Sequence, residues 1–172
     1  MGRVLYWIDI INERVGRGVS WCTLALIVVV CTDVFCRYLL LRTSPWVMEL
    51  EWHLFALIFL LGAGYTLKHD AHVRVDVFYE TFRARDKAEV NIWGSLLFLL
   101  PWSALIVFFG IHFARHSWLL GEGSENPGGL PFRFLIKSAI PLGFFLLFVQ
   151  GIGEILRSVL TLREKDQTTP ES

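Results

Sequence analysis

The sequence has no excess charge of either sign: sixteen Lys+Arg face sixteen Asp+Glu over 172 residues. That balance removes the basic face that nucleic-acid binding requires and the acidic excess of solvating tails. Cysteine is scarce. Cys22, Cys31 and Cys36 all lie in one apolar stretch, at spacings that suit neither a zinc site nor a disulfide framework, and they read as small packing residues. No internal repeat or second domain is visible. No nucleophile stands in a recognisable motif with a base, and Ser124 has no oriented partner that the sequence can name.

What the chain has instead is apolar surface: 54% of residues are hydrophobic and only 19% are charged, more than one water-soluble domain of this length can bury. Four segments supply the roughly 20 mostly apolar residues that a membrane span needs, at about 18–36, 45–67, 92–114 and 134–156. The expected fold is therefore an all-α integral membrane protein with four transmembrane helices. The first span follows a charged stretch and ends without a small-residue cleavage site, which makes it a retained span rather than a signal peptide. Arg3, Arg14, Arg17, Lys68, Arg74, Arg83, Arg85, Lys87, Arg157, Arg163 and Lys165 flank one side of these spans. Arg37, Arg42, Arg115, Arg133 and Lys137 flank the other. An imbalance of eleven against five places both termini and the middle loop in the cytoplasm.

Local signals support these boundaries. Ser44-Pro45 reads as an N-cap followed by proline at the first helical position, and Glu49 sits where the helix dipole favours an acid. Trp46, Trp52, Trp93 and Trp118 fit interfacial aromatic belts. Pro101 and Pro141 fall inside the third and fourth spans, where each removes a backbone hydrogen bond and bends the helix. Residues 1–17 form an amphipathic segment, with Val4, Ile8, Ile11 and Val15 at helical spacing. It is either a helix lying on the membrane surface or an extension of the first span. The middle loop carries Val73, Val77, Phe78 and Phe82 on one helical face and predicts a second surface helix. Residues 18–160 make the membrane domain, and 161–172 a polar, disordered tail.

Asp33 is the one acid well inside an apolar run, yet Arg37 lies four residues on and favours a structural i,i+4 pair. A carrier normally builds a mid-membrane ion site from broken helices in repeated halves, and neither is present. His53, His112 and His116 fall near one side and would permit haem ligation across two helices, although interfacial histidines bonding to water or neighbouring helices are the plainer reading. His69 lies further along, in the middle loop. Gly62 and Gly64 in the second span, and Gly151 with Gly153 in the fourth, permit close helix packing, either within the chain or against another membrane protein. Residues 126–131 form a turn-rich loop, and its charged neighbours Glu122, Glu125, Arg133 and Lys137 are open to solvent or to a partner.

Several motifs coincide in order. Phe35-Cys36-Arg37-Tyr38 closes the first span and Trp46-Val47-Met48-Glu49-Leu50-Glu51 opens the second. Leu61-Gly62-Ala63-Gly64-Tyr65 and His72-Val73-Arg74-Val75-Asp76 follow, then Gly128-Gly129-Leu130-Pro131, Lys137 and Ile140-Pro141-Leu142-Gly143-Phe144. Over about residues 7–157 the chain resembles the small membrane subunit, DctQ-like, of tripartite ATP-independent periplasmic (TRAP) transporters. The resemblance implies a non-catalytic subunit of the bacterial inner membrane. It implies two protein partners, a large multispan membrane subunit and a periplasmic substrate-binding protein that captures an organic acid, with membrane lipids around them and no nucleic acid. It implies no cofactor, a sodium gradient used through the large subunit, and a role in widening that subunit's static scaffold while an elevator moves. Asp33, Arg37, Trp46, Glu49, Glu51, Gly62, Gly64, His72, Asp76, Gly128, Gly129, Pro131, Lys137 and Pro141 are the structural or subunit-interface candidates. Within them Glu49, His72 and Asp76 match recurrent family positions, with expected roles in fixing the second helix and the inner loop. The Gly-Gly-Leu-Pro loop resembles the branch associated with keto-acid, mannitol-like and aromatic-acid systems more than the sialic acid branch. The rival readings are a four-helix haem-binding electron-transfer subunit and a small self-assembling multidrug carrier.

Overall fold

A computed structural model describes residues 2–69 and 82–168. Helices α1 (Gly2–Leu39), α2 (Pro45–Lys68), α3 (Ala84–Gly94), α4 (Leu100–Leu119) and α5 (Phe134–Thr168) make up the fold, and a π turn over Ser95–Leu99 joins α3 to α4 without a break. Among the described residues there is no strand. Four helical stretches are long and apolar enough to cross a membrane: Gly2–Leu39, Pro45–Lys68, Arg85–Leu119 and Phe134–Arg163. The described residues thus form an all-helical fold with four candidate spans.

Two of the elements outrun a bilayer. At about 1.5 Å per residue the 38 residues of α1 reach about 57 Å, against a hydrocarbon core of about 30 Å. The surplus of α1 and that of α5 project from the end of the bundle that carries the termini. Of the two alternatives for the N-terminal segment, this is the form of an extension, because α1 runs through residues 2–17 without a break. The apolar stripe divides: Ile8 is buried, with Asn12, Gly16 and Val19, and Val15 is half-buried, while Val4 and Ile11 are exposed. Tertiary packing overrides the hydrophobic pattern: Gly16 lies against the Tyr65 ring of α2, and Asn12 bonds to Gln150 of α5. At the other terminus α5 continues to Thr168, so the disordered tail expected over 161–172 is corrected over 161–168. The surface helix expected around 73–82 falls almost wholly outside the described residues.

Helix α5 is the centre, packing on α1, α2, α3 and α4, while α1 also packs along α2. In the most apolar window of each span, 33% of residues are buried for α5 and only 6% for α1. α1 is therefore the outlying helix. Large apolar side chains point outward: Trp21, Phe59 and Phe98 are all more than two-thirds exposed. Among the described residues the largest fully buried side chains are Asn12, Ser103, Ser117 and Gln150. Small and polar inside with bulky apolar outside is the pattern expected when lipid tails compete equally for apolar contact and helices associate through close backbone approach.

The two prolines sit differently in their helices. Pro101 cannot donate to the carbonyl four residues back, and the turn before it widens: the Leu100 N–H donates to the Ser95 carbonyl, an i to i+5 bond. Small buried residues recur every seventh position on either side, Ala88 and Ser95 before the widened turn, then Ser103, Gly110 and Ser117 after it. Pro141 is buried in α5, where its ring seats on Gly110 of α4; a Cβ there would lie 3.1 Å from Pro141 Cδ.

Of the glycines singled out in the sequence, Gly64 faces inward against Asn12 and the Leu146 carbonyl, Gly151 against Leu99, and Gly153 against Ile8. Gly62 faces open space. Gly143, opposite, admits the backbone of Leu60 itself. Gly143→Ala is therefore expected to destabilise the chain by about 1–3 kcal/mol, the usual range for overpacking, because a main-chain carbonyl cannot swing aside. Gly62→Ala, which meets nothing, should not destabilise and should gain up to about 1 kcal/mol from the better helix former. Unfolding midpoints in mixed detergent micelles, compared for the two variants, check the contrast.

Candidate functional site

The polar side chains gather in two clusters, one at each end of the bundle, and a third contact lies between. At the loop end, α2 begins after Ser44, whose backbone is extended (φ −132°, ψ 120°), with Pro45 in the first helical turn. This brings Glu49, only 3% exposed, under the segment that links α4 to α5. Its Oε1 accepts hydrogen bonds from Ser124 Oγ and from Asn126 Nδ2 at 3.1 Å, and its Oε2 accepts the Leu130 N–H at 2.6 Å. Arg133 Nη2 stands 3.7 Å away. One carboxylate therefore pins three points of the loop and balances its charge against an arginine.

Two glycines make that loop path feasible. Gly128 has φ +80°, in the left-handed region where a Cβ is strained. Gly129 passes directly over the carboxylate, so that a Cβ would come within 2.7 Å of Glu49 Oε2. Beside them Glu122 pairs with Lys137, whose ammonium also lies 4.2 Å from the centroid of the Phe113 ring. The Lys137 hydrogen bond holds the Glu122 carboxyl below the usual carboxylate range. Pro131 and the neighbouring Phe132, which takes φ +63°, stay exposed at the surface.

At the terminal end, Glu13 Oε2 accepts from Lys68 Nζ at 2.6 Å and lies 3.1 Å from His69 Nε2, while its Oε1 accepts from Arg17 at 2.9 Å. Asp9 pairs with Arg157, which also approaches Glu154 at 3.8 Å, and Asn91 donates to Glu154 at 3.0 Å. These contacts tie α1, α2, α3 and α5 together. Between the clusters, Asn12 Nδ2 donates to Gln150 Oε1 at 2.9 Å and to the Ile8 carbonyl at 3.3 Å.

The remaining residues singled out in the sequence divide. Asp33 is buried and pairs with Arg37 of its own helix, as the i,i+4 spacing suggested. Trp46 is half exposed, and Glu51 is partly buried with its Oε1 carrying no hydrogen bond. His72 and Asp76 lie outside the described residues. The histidines expected near one side do not converge. His53 on α2 is bonded through Nδ1 to the Glu49 carbonyl, and exposed His112 on α4 to the Phe108 carbonyl, with α5 packed between the helices that carry them. This arrangement lends the haem reading no support. Asn12, Gln150, Asp9, Arg157 and the Glu49 partners Ser124 and Asn126 were not foreseen as contacts. Gln150 did leave one unused signal, as a lone amide inside an apolar run.

The geometry thus builds a loop clamped onto a helix start, with small-residue packing beneath it. The family model for the DctQ component of tripartite ATP-independent periplasmic transporters matches residues 26–161. This chain belongs to the DctQ family. The match takes in the whole Glu49 clamp and most of α5, while the first half of α1, with Asp9, Asn12 and Glu13, precedes it. A curated relative, the ectoine TRAP transporter small permease protein TeaB of Halomonas elongata, is 26% identical over 137 residues, or 78% of this chain. The aligned part spans 66% of that relative's length, just under two thirds. The DctQ assignment makes the chain a transporter component and a multi-pass membrane protein.

Two outcomes follow from the loop chemistry. Glu49→Ala leaves the Leu130 N–H, the Ser124 hydroxyl and the Asn126 amide without their acceptor, and residues 122–131 should exchange amide hydrogens faster while the α2–α5 core keeps its protection. Glu122, with its folded pKa lowered from 4.5, contributes stability that is present above that value and lost as the pH falls through the lowered one. The thermal midpoint of the wild type should therefore exceed that of Glu122→Gln at neutral pH, and the two should converge on acidification below 4.5.

Proposed function

We propose that this chain is the non-catalytic scaffold subunit of a sodium-coupled TRAP transporter in the bacterial inner membrane. The complex would import an organic acid handed over by a periplasmic binding protein, and this subunit would pack on the static scaffold of a large membrane subunit. The observation that carries the proposal is how the polar groups are spent. Asp33 is held by Arg37, Glu49 by the loop and Glu13 by Lys68, so these acids serve as structural anchors rather than as a cation path. The apolar exterior, by contrast, is broad and unpartnered, above all on α1. A subunit with its acids locked and its bulky side chains outward suits passive packing in a larger assembly.

With both termini in the cytoplasm, the Glu49-clamped loop faces the periplasm, where a loaded binding protein would arrive. Sodium coupling and substrate choice then reside elsewhere, in the large subunit and the binding protein. The chain itself performs no covalent chemistry. Affinity purification of the full chain from native membranes in mild detergent should recover a larger multispan protein in one-to-one stoichiometry. Uptake of an organic acid into liposomes should require that partner, sodium and the binding protein together. Transport by this chain alone would overturn the proposal.

A further inference from the structure

The terminal end of α1 carries a cavity of about 330 Å³ lined by the bases Arg14, Arg17 and Lys68, the acids Asp9 and Glu13, and Tyr6 and Ile10. Its acids are already engaged. Asp9 is paired with Arg157, and both oxygens of Glu13 accept from basic groups, Oε1 from Arg17 and Oε2 from Lys68 with His69 beside it. Its bases are not. Among the described residues the Arg14 side chain makes no ion pair or hydrogen bond, and Arg17 uses only its Nε and is 76% exposed. The cavity therefore presents unsatisfied guanidinium donors, which match the planar oxygens of a phosphate.

Below the cavity the same helical face continues as apolar surface. Positions 10, 14, 17, 21, 24 and 28 follow one another at helical spacing, and Trp21, Leu24 and Val28 are all more than half exposed. Two guanidiniums thus stand at the mouth of an apolar strip that enters the membrane span. Free phosphate would use only the upper half of that arrangement. We propose that this face binds an anionic phospholipid, its phosphodiester held by Arg14 and Arg17 and one acyl chain lying along Trp21, Leu24 and Val28. Basic pockets between membrane helices are suited to such headgroups, and Lys68 at the end of α2 closes the pocket from the second helix.

The test uses the full chain in nonionic detergent, titrated with phosphatidylglycerol, phosphatidylcholine or inorganic phosphate and observed by native mass spectrometry. Phosphatidylglycerol should be retained in preference to phosphatidylcholine. Arg14→Gln, which removes no contact within the chain, should weaken retention roughly fivefold. Arg3→Gln, an exposed arginine outside the cavity, should not. Wild-type retention by Arg14→Gln, equal retention of phosphatidylcholine, or displacement of the lipid by equimolar inorganic phosphate would each overturn the assignment. Release of the lipid when a large membrane subunit binds would give the face to that protein instead.

Discussion

In a bilayer, lipid tails offer side chains the same apolar contact that a neighbouring helix does, so helices associate where their backbones can come nearest. In this chain that place is α5. The Leu60 carbonyl of α2 lies against Gly143, Ile8 of α1 against Gly153, Leu99 against Gly151, and the Pro141 ring against Gly110 of α4. Helices α1, α2 and α4 and the π turn each meet α5 at one of these approaches. The large aromatic and branched residues are left to the outside, where they meet whatever surrounds the bundle.

The polar clusters at the two ends act on that packed centre in different ways. The terminal cluster links four helices through exposed or half-exposed ion pairs, which individually contribute little and together fix how the long ends of α1 and α5 lie side by side. The loop cluster concentrates its bonds on one buried carboxylate. A buried acid is costly unless its oxygens are filled, and the side chains, main-chain N–H and arginine around Glu49 fill them. The loop is ordered by the needs of the acid as much as the acid is placed by the loop. That mutual dependence is how a turn-rich segment acquires a definite surface.

The sequence made the local features legible. Apolar runs of span length located all four membrane helices, and the Asp33–Arg37 pair followed from a spacing of four within one helix. Contacts between distant segments left no such trace. Glu49 meets Ser124, Asn126 and Leu130 from 75, 77 and 81 positions away, and Asn12 meets Gln150 from 138. Glu49 was recognised as an acid near a helix start, where the helix dipole alone would account for it, and nothing in its neighbourhood names the loop. The N-terminal stripe is split for a related reason. Hydrophobic periodicity assumes that apolar residues seek the interior, whereas in this bundle an asparagine and a glycine do so, because an amide partner and a tyrosine ring await them.

The widened turn ahead of Pro101 also governs phase. A heptad of small residues begun at Ala88 and Ser95 would place its next members at positions 102, 109 and 116, which are tryptophan, phenylalanine and histidine. The π turn takes up one additional residue, and the series resumes one step later at Ser103, Gly110 and Ser117. Since one residue corresponds to about 100° of helical rotation, an unbroken α-helix would turn the bulky series toward α5 and the serines toward lipid. The irregularity works as a vernier, keeping both halves of a single long helix aimed at the same neighbour.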